Sequence, residues 1–359
     1  MDVAIIDADL IGRKRHRFPN LACMKIAGYW KSRGANVELK EDYYFLNTFD
    51  EVYISKVFTD TPVPDFVEES AHVHLGGTGF YFDKAPALPP EIEHHIPDYT
   101  LYDSYVKSTG GGQQFREYRD YSIGFLTRGC FRKCGFCVNQ KYDHVFAHSP
   151  LNEFLDPERK KICLLDDNFF SYPGWRPLLE ELIETGKPFK FKQGLDERLL
   201  TEEKCKLLFS SRYDGDFTFA FDNIEDYDLI ESKLKMIQKY QPKKKIKFYV
   251  LCGFRSVGLD DIENTFRRIE LLFKYNAIPY IMRYQAPGSA PWKSSPYDYM
   301  YVQLARWCNQ TSIVKKKSFR EWGEIDTDHP AAERARARFE KEQPEIAKRY
   351  FDMKCGFAC

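Results

Sequence analysis

Between residues 121 and 282 six short apolar runs alternate with longer amphipathic stretches, and this alternation limits the fold more than any other feature. The runs cover residues 122–126, 161–165, 189–192, 217–221, 247–251 and 279–282. They are rich in Phe, Leu and Ile, apolar residues that suit a buried strand. Residues 177–185, 201–210, 227–240 and 259–275 place apolar side chains at helical spacing. A strand that returns through a helix comes back parallel to its predecessor. Six such units in series predict a partial (β/α)6 TIM barrel spanning residues 115–290, with chemistry at the C-terminal ends of the strands.

Residues 1–109 carry a second alternation. Strands are expected at residues 3–6, 37–39, 51–55 and 73–75, and a helix at 20–33 with Gly34 at its C-terminal end. Strands interleaved with helices imply a flavodoxin-like parallel sheet. Residues 88–98 read as an extended surface segment, and Gly110-Gly111-Gly112 as a hinge between the two parts. From residue 291 to 359 the chain is charged and helical, a C-terminal extension in which 331–350 is expected as a solvent-facing helix interrupted at Pro344. The fold class is therefore α/β: a parallel sheet domain, a partial barrel and a helical extension.

Lys plus Arg and Asp plus Glu both total 53, a balance that argues against gripping nucleic acid as the main task. The opening apolar run is broken at Asp7 and no 20-residue apolar segment exists, so neither a signal peptide nor a membrane span is expected. Ten cysteines in such a chain point to thiols or metal ligands in the cytoplasm.

Three of these cysteines stand together. In Thr127-Arg128-Gly129-Cys130-Phe131-Arg132-Lys133-Cys134-Gly135-Phe136-Cys137 the thiols are spaced C-x3-C-x2-C, directly after a predicted strand. At this cysteine content the pattern arises by chance on the order of once in a hundred such chains. Thiolates favour iron–sulfur clusters and zinc. A cubane takes four ligands, so three thiols in one loop leave one iron open, as a catalytic metal requires. The alternative is a structural zinc or iron–sulfur binding module, completed by His144 or His148. Cys163, Cys205 and Cys252 lie in apolar runs and are expected in the core, while Cys355 and Cys359 end the chain as C-x3-C.

The loop resembles the CxxxCxΦC signature of the radical S-adenosylmethionine (SAM) superfamily, with Phe136 at the aromatic position. The resemblance covers roughly residues 121–282. It implies that Cys130, Cys134 and Cys137 hold a [4Fe–4S] cluster whose open iron binds SAM. Reductive cleavage of SAM then yields a 5′-deoxyadenosyl radical that abstracts hydrogen from a substrate. Asp167 or Asn168 would meet the methionyl amine, and Gln193 and Arg198 the ribose and carboxylate. Such enzymes draw electrons from a flavodoxin or ferredoxin; the substrate, whether small molecule, peptide or nucleotide, is not legible.

Residues 1–109 are similar to the cobalamin-binding-like domain that precedes many radical SAM barrels. Its DxHxxG turn matches Asp7-Ala8-Asp9-Leu10-Ile11-Gly12 in frame, with Asp9 in the histidine position. A carboxylate is a poorer cobalt ligand than imidazole. Some relatives hold cobalamin without that histidine, so a cobalamin-dependent radical SAM methyltransferase stands as the alternative enzyme. Methylthiotransferases fit less well, because only Cys23 precedes Cys130. Gly76-Gly77-Thr78-Gly79 is either a close-approach ligand loop or a tight turn.

Overall fold

A computed structural model describes residues 1–14, 16–325 and 330–356; Cys359 lies outside them. The chain divides into two compact units, Met1–Lys192 and Gln193–Cys359.

The first unit opens with four strands, β1 (Asp2–Asp7), β2 (Asn36–Leu39), β3 (Glu51–Ser55) and β4 (Val73–Gly76). They pair in parallel in the order β2-β1-β3-β4, the succession of a flavodoxin-like sheet. Val3, Ala4, Ile5 and Ile6 are all inaccessible to solvent, so β1 is buried on both faces as a central parallel strand should be. The helix Leu21–Ser32 is capped by Asn20, whose side chain accepts the Cys23 N–H at 3.2 Å and donates to Ser55 Oγ at 2.9 Å.

The glycine-rich turn after β4 is packed against protein. Gly77 has φ +98°, and a Cβ there would run into the Lys56 carbonyl. The expected extended segment at 88–98 contains a one-turn helix, Pro90–Glu93, and buries Ile92. It packs because Gly28 lets the Ile96 carbonyl approach the helix Leu21–Ser32. The expected hinge includes a helix C-terminus: Gly110 and Gly111 have positive φ and donate to the carbonyls of Lys107 and Val106.

Within the same unit, β5 (Tyr121–Gly124), β8 (Lys161–Leu164) and β9 (Phe189–Phe191) form a parallel sheet in chain order. The intervening β6 (Thr127–Arg128) and β7 (Phe146–Ala147) make a small antiparallel ribbon. Leu21 shares a core with Tyr121, Ile123 and Cys163. Each such large side chain withdrawn from water contributes about 1.5–3 kcal/mol.

The second unit carries β10 (Phe217–Ala220), β11 (Ile246–Cys252) and β12 (Ile278–Arg283), again parallel and in chain order. All six expected runs of the carboxyl-terminal alternation are strands, and the helices Trp175–Glu184, Glu202–Ser210, Tyr227–Lys239 and Leu259–Lys274 lie between them.

The tail differs from expectation. The helices Pro330–Glu342 and Pro344–Tyr350 do break before Pro344, but they are packed rather than solvent-facing. Ala332, Ala335 and Phe339 form a buried stripe, and Tyr350 stacks on Phe266 with centroids 5.5 Å apart. The apolar residues at i, i+3 and i+7 give this helix one core face despite its many charges. No helix among the described residues is long and apolar enough to cross a membrane.

Candidate active site

The three-cysteine segment forms a loop whose base is the β6–β7 ribbon. Two neighbouring carboxylates beyond the end of β8 hold it. Asp166 accepts the N–H of Leu126 at 3.2 Å, the N–H of Thr127 at 2.7 Å and the Thr127 hydroxyl at 2.6 Å. Burial pushes its carboxyl up to about 7, against the pull of these three donors. Asp167 accepts the Gly129 N–H at 2.8 Å on one oxygen and Asn139 Nδ2 at 2.7 Å on the other. The carboxylates thus pin both arms of the loop. Gly129 is obligatory at the turn: its φ is +93°, and a Cβ would strike the His144 carbonyl.

All three cysteines are half-buried. The Cys137 N–H donates to the Cys134 carbonyl at 2.9 Å, closing a tight turn between the second and third thiols. Cys130 Sγ accepts the Arg132 N–H and Asn168 Nδ2, both at 3.4 Å, and Cys137 Sγ accepts the Asn139 N–H at 3.4 Å. Burial raises the Cys137 thiol, and the nearby Cys130 adds to the effect. Such N–H to sulfur bonds stabilise thiolates and tune an iron–sulfur cluster.

The donor set, three thiols carried on one loop, is of the kind that holds an iron–sulfur cluster. Zinc draws every donor to within about 2.0–2.3 Å of one point, whereas a cube spreads its thiolates over several irons. Among the described residues no three His, Cys, Asp or Glu side chains are disposed to hold a single metal ion. Neither expected histidine joins the thiols: His148 faces Glu93 and Ser149, and His144 is exposed beside Phe146.

The other expected contact residues fall in both units. Asp167 and Asn168 belong to the loop and its support, and Phe136 is half-buried within it. Gln193 and Arg198 belong to the second unit, where Gln193 is exposed. Arg198 is engaged by Asp196 at 2.7 Å and Asp226 at 3.1 Å. Beside it Glu197 is fully buried and pushed up to about 8 by burial.

Sequence reasoning missed two supporting groups. Asp166 lay in view in Leu164-Leu165-Asp166-Asp167-Asn168, as the first polar residue after an apolar run. Arg268, only 2% exposed, donates through Nη1 to the carbonyls of Phe221, Asp222 and Leu251 at 2.7–2.9 Å. It thereby ties the ends of β10 and β11. Its signal was a charge three residues after Thr265 and four before Leu272, on the apolar stripe of its helix.

In the first unit, Asp9 is spent on structure. It accepts the Val57 N–H at 2.6 Å, the Phe58 N–H at 3.4 Å and the Thr61 hydroxyl.

No protein-family profile and no curated protein sequence matches this chain. Among solved structures, it is similar to the radical SAM methyltransferase TsrM from Kitasatospora setae, with cobalamin and a [4Fe–4S] cluster bound. The two are 13% identical with a TM-score of 0.52, over 78% of this chain and 74% of that one. The chain shares this enzyme's fold. A weaker likeness, TM-score 0.46 and 13% identity, is to the cobalamin-dependent SAM radical enzyme OxsB with aqua-cobalamin and SAM bound. It covers 84% of this chain, which spans about half of OxsB, 55% of its length.

Proposed function

We propose that this chain is a radical SAM enzyme in which Cys130, Cys134 and Cys137 hold a [4Fe–4S] cluster with one iron open to SAM. The observation that carries this reading is the three-thiol loop at a strand's C-terminal end, clamped by Asp166 and Asp167. It occurs on a fold shared with a radical SAM methyltransferase. When bound, cluster and cofactor supply one-electron cleavage of SAM to a 5′-deoxyadenosyl radical that abstracts substrate hydrogen.

The chain's own residues prepare that chemistry. The N–H groups of Arg132 and Asn139, with Asn168 Nδ2, disperse thiolate charge. Asp167 fixes the loop instead of waiting for the methionyl amine, so that role falls to Asn168 or to backbone carbonyls. Phe136 shields the third cysteine. Gln193 seats the ribose. Arg198 reaches the SAM carboxylate only by exchanging Asp196 or Asp226 for it, a swap between like partners. In this reading residues 1–109 are the cobalamin-binding-like domain, 115–290 the partial barrel and 291–359 the extension. A flavodoxin or ferredoxin in the cytoplasm is the electron donor.

The likeness to TsrM favours a second reading, cobalamin-dependent methyl transfer. With Asp9 committed to residues 57–61, any corrinoid is held without a protein ligand from that position.

The test is anaerobic reconstitution with iron and sulfide. Four irons per chain, a reduced-cluster EPR signal that shifts on adding SAM, and 5′-deoxyadenosine formed under dithionite support the proposal. Stoichiometric zinc on the same thiols overturns it. Hydroxocobalamin bound one per chain selects the second reading.

A further inference from the structure

The cluster loop is anchored at its base by a relay that begins on the helix Leu21–Ser32. His148 follows β7 directly, and its N–H donates to the Leu126 carbonyl at 2.9 Å, beside the loop's first arm. Its Nε2 lies 3.3 Å from Glu93 Oε1. The same oxygen meets Lys25 Nζ at 2.8 Å, and Lys25 also donates to the Glu93 carbonyl. Lys25 belongs to the helix Leu21–Ser32 and is only 5% exposed.

A buried lysine is costly unless paired, so Glu93 has a fixed place. Although burial opposes ionisation, His148 and Lys25 hold its carboxyl down to about 2. His94 stacks on His148 at 5.3 Å and is itself met by Glu153 at 3.0 Å. His148 also meets Phe125 edge-on at 5.9 Å; the Arg128 guanidinium lies 4.0 Å over that ring and 3.8 Å from Asp167. Asp167 holds the two arms of the loop.

We infer that Glu93 and His148 are positioning residues for the cluster, transmitting the rigidity of the first sheet's helix through Phe125 and Arg128 to the three cysteines. Neither touches a thiol. They lie on segments distant in sequence, and the links run from the Lys25–Glu93–His148 ion pairs through ring contacts to the Arg128–Asp167 ion pair at 3.8 Å. The inference deepens the reading of the loop as a cluster site.

Two measurements on the full chain test it. In cluster-free protein, the alkylation rates of Cys130, Cys134 and Cys137 are followed by peptide mass spectrometry, with buried Cys23 and Cys163 as internal references. His148→Ala raises the three loop rates severalfold and leaves the references slow, while His148→Gln, which can still donate to Glu93, restores them. After reconstitution, His148→Ala and Glu93→Gln lower iron affinity by several-fold, less than loss of a group bonded directly to a ligand, and broaden the reduced-cluster EPR signal. Unchanged loop rates in His148→Ala overturn the inference whatever iron the protein holds. Wild-type protein that takes up no iron, but whose loop rates rise in the variant, overturns the cluster reading and keeps the anchor.

Discussion

Thr127 gives Asp166 two hydrogen bonds at once, from its N–H at 2.7 Å and from its hydroxyl at 2.6 Å. Both residues are almost completely buried, so the contact is hidden from water. It fixes the last step of chain before the cysteine loop. Asp166→Asn places an amide where the carboxylate accepted three donors, so at least one of them loses its acceptor. Leaving a buried donor unsatisfied costs about 1–3 kcal/mol. The variant therefore unfolds at lower denaturant than the native chain, and Thr127→Val shows a smaller loss of the same kind. Equilibrium denaturation followed by circular dichroism checks both.

Asp166 also contributes to a pH dependence shared with other buried acids. Burial, opposed by the Tyr102 hydroxyl at 2.9 Å, raises Asp7 to about 7, and burial also raises Asp166 to about 7, Asp222 to about 6 and Glu197 to about 8. Each group binds its proton more tightly folded than unfolded. Their contribution is fully present below the unfolded carboxylate values and is lost as pH rises through the folded ones. Glu93 works oppositely: its stabilisation is present above its unfolded value and fades as pH falls toward 2. Stability is expected to decline from pH 5 to pH 8, and Asp7→Asn or Glu197→Gln to flatten that decline. Urea midpoints across this range decide the matter; a steady rise toward pH 8 contradicts it.

Gly129 sits where both space and backbone forbid a side chain. With φ +93° and the His144 carbonyl against its Cα, Gly129→Ala must bend the ribbon or the loop. Backbone strain at such a position costs about 1–3 kcal/mol before any clash is counted. Because the strain falls between β6 and Cys130, iron content after reconstitution should drop by more than global stability does. Gly135→Ala serves as the comparison on the same loop.

The strands were legible because each is a short apolar run bounded by polar residues, and a run such as Phe217–Ala220 has no other means of burying itself. The cysteine segment was legible as a loop after a strand, because its spacing and its glycines are local features. The supports were not. Asp166, Glu93 and His148 act through contacts between segments distant in sequence, so their partners could not be read from spacing even where, as at Asp166, the position itself was in view. Asp9 illustrates the reverse case. Its position in a DxHxxG frame was visible, but the structure spends its carboxylate on residues 57–61, a use that no spacing encodes. The tail was misjudged because its charges outnumber its buried stripe of Ala332, Ala335 and Phe339, although those residues are small or spaced for one face.

Arg268 offers the sharpest test of the second unit. Its guanidinium satisfies the carbonyls of Phe221, Asp222 and Leu251, and Nη2 donates to Thr265 Oγ1 at 3.1 Å. Burial lowers its proton affinity, with Asp261 and Asp222 opposing the loss. Lysine carries the charge but not the planar fork, so it reaches fewer of these carbonyls. Arg268→Lys should therefore cost about 1–3 kcal/mol through acceptors left unmet, and Arg268→Met more, because all three carbonyls lose their donor and the charge that offsets Asp261 and Asp222 is gone. Hydrogen exchange localises the effect: amides at the C-terminal ends of β10 and β11 should lose protection first, while those of β1 in the other unit keep theirs. Uniform loss of protection across both units would mean that Arg268 supports the whole chain and not the strand ends it touches.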